Sequence, residues 1–319
     1  MEEILFVKNL KKHFVKKGFL RQKETIHAVD DVTFSIKKGQ TLVLAGESGS
    51  GKTTIARLIL KAIEPDSGEI VFDGVSIDND CGRLGKLRRE CQMIHQDPYA
   101  SIDPRMKVFD IVKEPLDIHG IGKPGERKDL VFEALRDVRL DPDEVASKYP
   151  HMLSGGQRQR VVIARSIATR PKLIIADEPV SMLDVSVRVG ILELIKELQN
   201  KHGISFLYIT HDLSTARYVG HEIAILYLGK IVEFGNIEKV LLQPRHPYTR
   251  ALVESISEPN PENLNSEKKI HINNPLEIDV YQGCRFRARC PYAIDKCRQE
   301  PPLEQVEDKR SVACFVKLD

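Results

Sequence analysis

Long apolar runs are missing from this chain. Nothing in it approaches the roughly 20 consecutive apolar residues that cross a bilayer as a helix. The opening "MEEILFVKNL" has no basic segment followed by a long apolar one, so no signal peptide is expected. Neither sign of charge is in excess: a net charge of +2 gives no reason to expect a nucleic-acid or membrane-surface binder. Internal repeats and low-complexity tracts are also lacking. What remains is an ordinary globular composition, 41% hydrophobic and 29% charged, in 319 residues. That length suits two or three structural units. The expected compartment is the cytoplasm, where the six cysteines serve as thiols or ligands more readily than as disulfides.

The patterning predicts an α/β protein. Val32, Phe34 and Ile36 alternate with polar residues as in a half-buried strand, and "TLVLA" (Thr41–Ala45) reads as a strand buried on both faces. A glycine loop and the helical "KTTIARLILKAI" follow, then "GEIVFDG" (Gly68–Gly74), a strand entering a tight turn. Residues 97–170 are mostly helical and charged, broken at Pro98, Pro104, Gly120, Pro124 and Pro142. Beyond them come a strand in "KLIIADEP", a helix over Val185–Lys201, a strand in "ISFLYITHD", a short helix, and a hairpin in "EIAILYLGKIVEFG". Alternating strands and helices predict a parallel sheet. Composition shifts near Ser257: "SEPNPENLNSEKKIHINNP" reads as a linker, and four of the six cysteines follow it.

"GESGSGKT" (Gly46–Thr53) fits G-x-x-x-x-G-K-[ST] and lies between a buried strand and a helix, where that motif works. Its glycines let backbone N–H groups curl round a β-phosphate. Lys52 supplies charge to the β/γ oxygens, and the Thr53 hydroxyl suits Mg²⁺. In "KLIIADEP" a strand ends in two carboxylates. Asp177 suits a Mg²⁺ partner acting through water, and Glu178 suits the base that orients water for hydrolysis, although acidic residues at such places also cap helices. His211 stands at another strand end and Gln96 in "IHQDP"; each alone reads as a surface residue. "SGGQRQR" (Ser154–Arg160) opens a helix and is built like a second phosphate cradle, about a hundred residues after the first.

This order of motifs resembles that of ATP-binding cassette (ABC) ATPases, over roughly residues 4–256. "GESGSGKTT" resembles their Walker A, "IHQDP" the Q-loop, "LSGGQ" (Leu153–Gln157) the signature, "LIIADE" the Walker B, "SMLD" (Ser181–Asp184) the D-loop and "ITHD" the H-loop. The resemblance implies a P-loop ABC-type nucleotide-binding domain. Residues 1–96 and 171–256 would form the core, 97–170 a helical subdomain carrying the signature, 257–280 a linker and 281–319 a small cysteine-rich extension. It implies ATP binding by Ser48, Gly49, Ser50, Gly51, Lys52, Thr53 and Thr54, with Phe14 stacked on adenine. Mg²⁺ falls to Thr53, Gln96 and Asp177, catalysis to Glu178 and His211, and the D-loop carboxylate to Asp184. Ser154, Gly155, Gly156 and Gln157 would cradle the γ-phosphate held by a partner ATPase in a head-to-tail dimer, which explains two distant cradles. Met182 departs from the alanine usual in the D-loop, a difference of packing rather than chemistry. Phe14 also reads as a core aromatic at a strand end.

The tail narrows the resemblance. "QPRHPYTRALVESI" (Gln243–Ile256) and "GCRFRARCPYAIDKCRQEPP…VACF" (Gly283–Phe315) resemble the C-terminal part of oligopeptide, dipeptide and nickel importer ATPases, and the N-terminal insert resembles their F-type subunit. The cysteine spacing, C-x₅-C-x₆-C-x₁₆-C, leaves a [4Fe–4S] cluster, a structural zinc, and disulfides or free thiols open. The resemblance implies the cluster, on Cys284, Cys290, Cys297 and Cys314. Arg285, Arg287 and Arg289 either offset its charge or form a solvated basic edge. Cys91 reads as a small core residue at a strand start. The resemblance further implies a D-type partner ATPase, two transmembrane permease subunits, a solute-binding protein, no nucleic acid, and a peripheral place on the cytoplasmic face of the membrane. The expected activity is Mg²⁺-dependent ATP hydrolysis driving import of oligo- or dipeptides. Importers of oligosaccharides or nickel, a non-transport ABC ATPase and an inactive regulatory subunit are the alternatives.

Overall fold

The computed structural model describes residues 2–17, 23–77, 80–255, 281–316 and 318. The linker expected over 257–280 lies outside the described residues. In chain order the strands are β1 (Glu3–Lys17), β2 (Lys23–Lys37), β3 (Thr41–Ala45), β4 (Ser67–Phe72), β5 (Val75–Ser76), β6 (Cys91–Ile94), β7 (Leu173–Asp177), β8 (Ser205–Thr210), β9 (Glu222–Tyr227), β10 (Lys230–Asn236), β11 (Glu304–Glu307) and β12 (Arg310–Val312). The α-helices are α1 (Lys52–Ile59), α2 (Cys81–Glu90), α3 (Val108–Ile118), α4 (Pro124–Asp137), α5 (Pro142–Val145), α6 (Gly155–Ile167), α7 (Val185–His202), α8 (Leu213–Val219), α9 (Ile237–Leu242) and α10 (Pro247–Glu254). Among the described residues the backbone forms two compact units, one within Met1–Phe6, Ser35–Thr41 and Val71–Ile209, the other within Val7–Phe34, Leu42–Ile70 and Thr210–Asp319.

In the first unit β6, β7 and β8 run parallel, with Cys91 opposite Leu173 and Leu173 opposite Ser205. Every residue of β7 is buried, as a parallel strand covered on both faces must be. Cys91 is 2% exposed at the start of β6, the core position expected of it. Prolines and glycines divide the helical stretch as expected. Pro124 and Pro142 open α4 and α5, where a missing N–H costs nothing, and Gly120 lies just past α3. α3 packs its buried face (Val108, Ile111, Val112, Leu116) against α6 and α4. Each such side chain contributes about 1.5–3 kcal/mol of burial. Gly203 ends α7 at φ 67°, the left-handed cap that glycine adopts without strain.

In the second unit β3 pairs parallel with β9, β9 antiparallel with β10, β10 with β12 and β12 with β11. The expected hairpin is β9–β10. β12 extends it, with Glu233 opposite Val312. Under that pairing lies a buried charge cluster. Glu233, 0% exposed, accepts a hydrogen bond from the Arg310 guanidinium at 2.7 Å and from the backbone N–H of His246 at 2.9 Å.

Candidate nucleotide site

In the second unit, β3 delivers the chain into the glycine loop and α1 receives it. Gly51 is the N-cap of α1 at φ 107°, and a Cβ there would stand 2.1 Å from the Ala28 carbonyl oxygen. Only glycine fits this close approach with a positive φ. The Lys52 side chain is 6% exposed and curls back over the loop. Its ammonium donates to the carbonyl oxygens of Gly46 at 2.7 Å and Glu47 at 2.9 Å, a set of oxygens that phosphate oxygens can replace. The loop is closed by the Ser50 N–H donating to the Glu47 carbonyl at 3.2 Å and pinned by the Gly229 N–H donating to the Ser50 carbonyl at 2.8 Å. Phe14, on β1, is 41% exposed, with the Lys12 ammonium 5.7 Å from its ring centre. It is a surface aromatic rather than a core one. His211 follows β8 on the exposed turn into α8, whose N-cap is Asp212.

In the first unit, Asp177 ends β7 and is 6% exposed. The next residue, Glu178, has φ 48°. A left-handed glutamate is strained by about 1–3 kcal/mol, and strain of this kind collects where a side chain must be aimed. Its backbone N–H donates to the Ile209 carbonyl at 2.9 Å, and its Oε2 accepts from Gln96 Nε2 at 3.0 Å. The structure thus bonds together two residues that the sequence placed in separate motifs. The turn after Glu178 is held locally: the Ser181 hydroxyl donates to the Glu178 carbonyl at 3.1 Å, and Arg188 Nε donates to the Leu183 carbonyl at 2.7 Å. Asp184 is the N-cap of α7, and Met182 is 57% exposed, so the unusual methionine strains no core.

The second glycine turn is a helix start, as expected. Ser154 is the N-cap of α6 and forms a reciprocal capping box with Gln157: the Gln157 N–H donates to Ser154 Oγ at 3.2 Å, and the Ser154 N–H to Gln157 Oε1 at 3.0 Å. Gly155 and Gly156 are the first two residues of that helix. Arg158 holds the preceding turn through the Pro150 carbonyl at 2.8 Å, and its guanidinium lies 3.9 Å from the centre of the Tyr99 ring.

The four tail cysteines are free thiols, with Cys290 and Cys297 buried and the others half-buried. Backbone bonds knot their segment, the Cys284 N–H donating to the Cys297 carbonyl at 2.9 Å. Burial pushes Cys284, Cys290 and Cys314 up to about 11 against opposing bonds from backbone N–H groups, and the neighbouring thiols add to the rise. All four therefore share one neighbourhood. No three of their sulfurs, however, lie within 4.8 Å of one another. The set is wider than the arrangement that zinc–sulfur bonds of about 2.3 Å impose.

Sequence reasoning missed what the tail arginines do. Arg289 grips Glu47 with two bonds, at 2.9 and 3.0 Å, and Arg285 pairs with Asp30 and the Leu228 carbonyl. These two arginines are therefore not a solvated basic edge. It also missed His13, His27 and Asp30, whose ligand atoms lie within 4.8 Å of one another. The two imidazoles stack at 4.0 Å, which sets their lone pairs parallel rather than convergent. Asp30 loses some charge stabilisation through burial, but Lys230 and Arg285 more than offset it and hold the carboxyl below its usual range. Within this group the Asp30 carboxylate is an anionic docking point for Arg285 of the tail.

Comparison with known proteins gives the family. A family profile described as ABC transporter matches residues 29–181, and one described as the oligopeptide/dipeptide transporter C-terminal region matches residues 232–297. The dipeptide transport ATP-binding protein DppF of Haemophilus influenzae is 41% identical, over 96% of this chain and 94% of its own length. The chain belongs to the ABC transporter ATP-binding proteins. A second relative, described as a probable peptide ABC transporter ATP-binding protein of Sinorhizobium fredii, is also 41% identical, over 99% of this chain and 90% of its own length. Among solved structures, the ATP-binding cassette MJ0796, dimeric and bound to ADP and Pi after hydrolysis, is similar with a TM-score of 0.64. It is 32% identical, and the match covers 73% of this chain and 98% of that one. In family terms the Walker A loop and His211 lie in the second unit, while the Q-loop, signature, Walker B and D-loop lie in the first.

Proposed function

We propose that this chain is the ATP-hydrolysing subunit of a peptide importer, working through separate transmembrane subunits. The carrying observation is the extent of the likeness: it runs through the Walker A loop and on into the C-terminal segment that the oligopeptide/dipeptide profile matches. No described helix is long and apolar enough to cross a membrane, so the path for cargo belongs to partners. Residues 1–96 and 171–256 act as the ATPase core and 97–170 as the helical subdomain that meets the permeases from the cytoplasmic face. Residues 281–319 are the extension, beyond a linker.

In this reading Phe14 stacks on adenine. Ser48, Gly49, Ser50, Gly51, Lys52, Thr53 and Thr54 bind the triphosphate, with the Lys52 ammonium exchanging loop carbonyls for phosphate oxygens. Thr53, Asp177 and Gln96 are hard-oxygen donors of the kind Mg²⁺ takes, and the Gln96 amide bonds Glu178 through nitrogen, which leaves its oxygen for the ion. Glu178 accepts a proton from the attacking water, and His211 bonds the γ-phosphate. Ser154, Gly155, Gly156 and Gln157 serve the nucleotide of a partner ATPase of D type, and Asp184 faces the same partner. A solute-binding protein delivers the peptide.

We further propose that Cys284, Cys290, Cys297 and Cys314 would hold a [4Fe–4S] cluster; what supports the reading is the chemistry of the donor set, four free thiols in one short segment. When bound it supplies a cross-link among four points of a segment too short to bury a large core of its own.

The test is uptake of labelled di- and oligopeptides into vesicles carrying the transporter assembled from this chain and the permeases encoded beside it. ATP-dependent uptake, lost in Lys52→Ala, is the expected result. Uptake of nickel or an oligosaccharide in place of peptide would reassign the cargo, and ATPase activity that is indifferent to any permease would overturn the importer reading.

A further inference from the structure

Glu47 is the second residue of the Walker A stretch, a position the motif leaves open. Here it is gripped on every polar group. Its carboxylate accepts two bonds from Arg289, at 2.9 and 3.0 Å. Its backbone N–H donates to the Tyr248 hydroxyl at 2.8 Å. Its carbonyl accepts from Lys52 at 2.9 Å and from the Ser50 N–H at 3.2 Å. Arg289 is itself fixed, donating to the Tyr227 hydroxyl at 3.3 Å with its guanidinium 5.8 Å from the ring centres of Tyr227 and Phe286. Phe286, 1% exposed, locks that part of the tail in place, edge-on to Tyr227 at 5.3 Å and tilted against Tyr248 at 5.5 Å.

We propose that Arg289 is a positioning residue for ATP binding: from the C-terminal segment it holds Glu47, and through Glu47 the first turn of the phosphate loop. The proposal rests on the reading of Gly46–Thr53 as the ATP site. The pair is partly solvated, with side-chain exposures of 25% and 41%, so its contribution to folding is small. Its effect lies in order. A loop already held in its binding shape loses less freedom when the nucleotide arrives, and the saving appears as affinity. Arg289 precedes Cys290 directly, so whatever organises the cysteines also sets this guanidinium. The tail thereby becomes part of the nucleotide site without touching nucleotide.

The experiment measures equilibrium ATP binding by the full-length subunit, and KM and kcat for ATP in the assembled transporter. The variants are Arg289→Met, Glu47→Gln and the two combined. Each single change is expected to raise the Kd and KM about tenfold, with kcat altered less than about twofold. The double variant is expected to match the singles, because both remove one shared interaction. A docking pair with no role in the loop would leave the KM unmoved. Should Arg289→Met expose the tail to protease, Glu47→Gln, which keeps the Phe286 anchor, decides the matter. Kd values within about twofold of wild type in Glu47→Gln, or effects that multiply in the double variant, overturn the proposal. Lys52→Ala separates the two readings: ATP binding undiminished in that variant would refute the ATP site itself.

Discussion

Glu178 combines a left-handed backbone with the proposed role of base, and the two can be tested independently. Glu178→Gln keeps shape and volume, and a carboxamide oxygen still accepts from Gln96 at the present 3.0 Å. Folding stability is therefore expected within about 0.5 kcal/mol of wild type, as for a substitution that breaks no packing. Loss of a positioned base removes about 10²–10⁴-fold of rate, equivalent to about 3–5 kcal/mol of barrier. Phosphate release by the assembled transporter should fall by that factor while ATP binding persists. The second arm tests the strain at φ 48°. At an ordinary strand end valine is preferred to glycine by up to about 1 kcal/mol. At a left-handed position the order reverses, because a β-branched residue clashes there and glycine does not. Glu178→Val should be less stable than Glu178→Gly by about 1–2 kcal/mol in urea unfolding of the full chain. Turnover of Glu178→Gln within tenfold of wild type would remove the residue from its role as base. Valine more stable than glycine would refute the strained, aimed conformation.

Three further outcomes are expected. A Cβ on Gly156 would lie 2.7 Å from Val187 Cγ1, so Gly156→Asp is best made with Val187→Ala, which clears the space and isolates the charge. ATP binding by the single subunit should then stay within about twofold, as for a residue outside that subunit's own site, while dimer-dependent hydrolysis is lost; loss of binding by the single subunit would defeat the trans cradle. Burial lowers His246 to about 3, and its Nδ1 accepts the Tyr248 N–H at 3.0 Å. The folded form therefore resists a proton that the unfolded chain takes up below about 6.5, and stability is lost as the pH falls from there, by about 2 kcal/mol at pH 5. His246→Asn, which retains a capping oxygen, should flatten that part of the urea-midpoint profile against pH, and an unchanged profile would show that another group is responsible. Protein purified without oxygen should carry about four irons and four sulfides, both lost in Cys290→Ser with Cys297→Ser together with protease resistance of residues 281–319. One zinc per chain, or no metal, would reject the cluster.

Local signals carried the chemistry in the sequence because that chemistry depends on local geometry. A buried strand, a glycine turn and a helix start must be adjacent in the chain to make a phosphate loop, and "TLVLAGESGSGKTT" displays all three in order. The same holds for β7 ending at Asp177 and Glu178, for the Ser154 capping box opening α6, and for helices that start at Pro124 and Pro142. Hydrophobic period and terminal residues suffice there, since the interactions span a few positions. The left-handed turn at Glu178 was not legible, because a glutamate does not choose that conformation; the surrounding packing imposes it. Nor was the bond from Gln96 to Glu178, which spans 82 positions. The tail shows the limit most clearly. "RFRAR" announces positive charge but not its destination. Arg289 meets Glu47 across 242 positions and Arg285 meets Asp30 across 255, pairings set by the way Phe286 seats among Tyr227, Tyr248 and His246. A charged side chain has no sequence period that names its partner. Sequence alone determined the candidates for handling phosphate; only the tertiary structure decided that the far end of the chain, through Arg289, bonds Glu47 in the glycine loop.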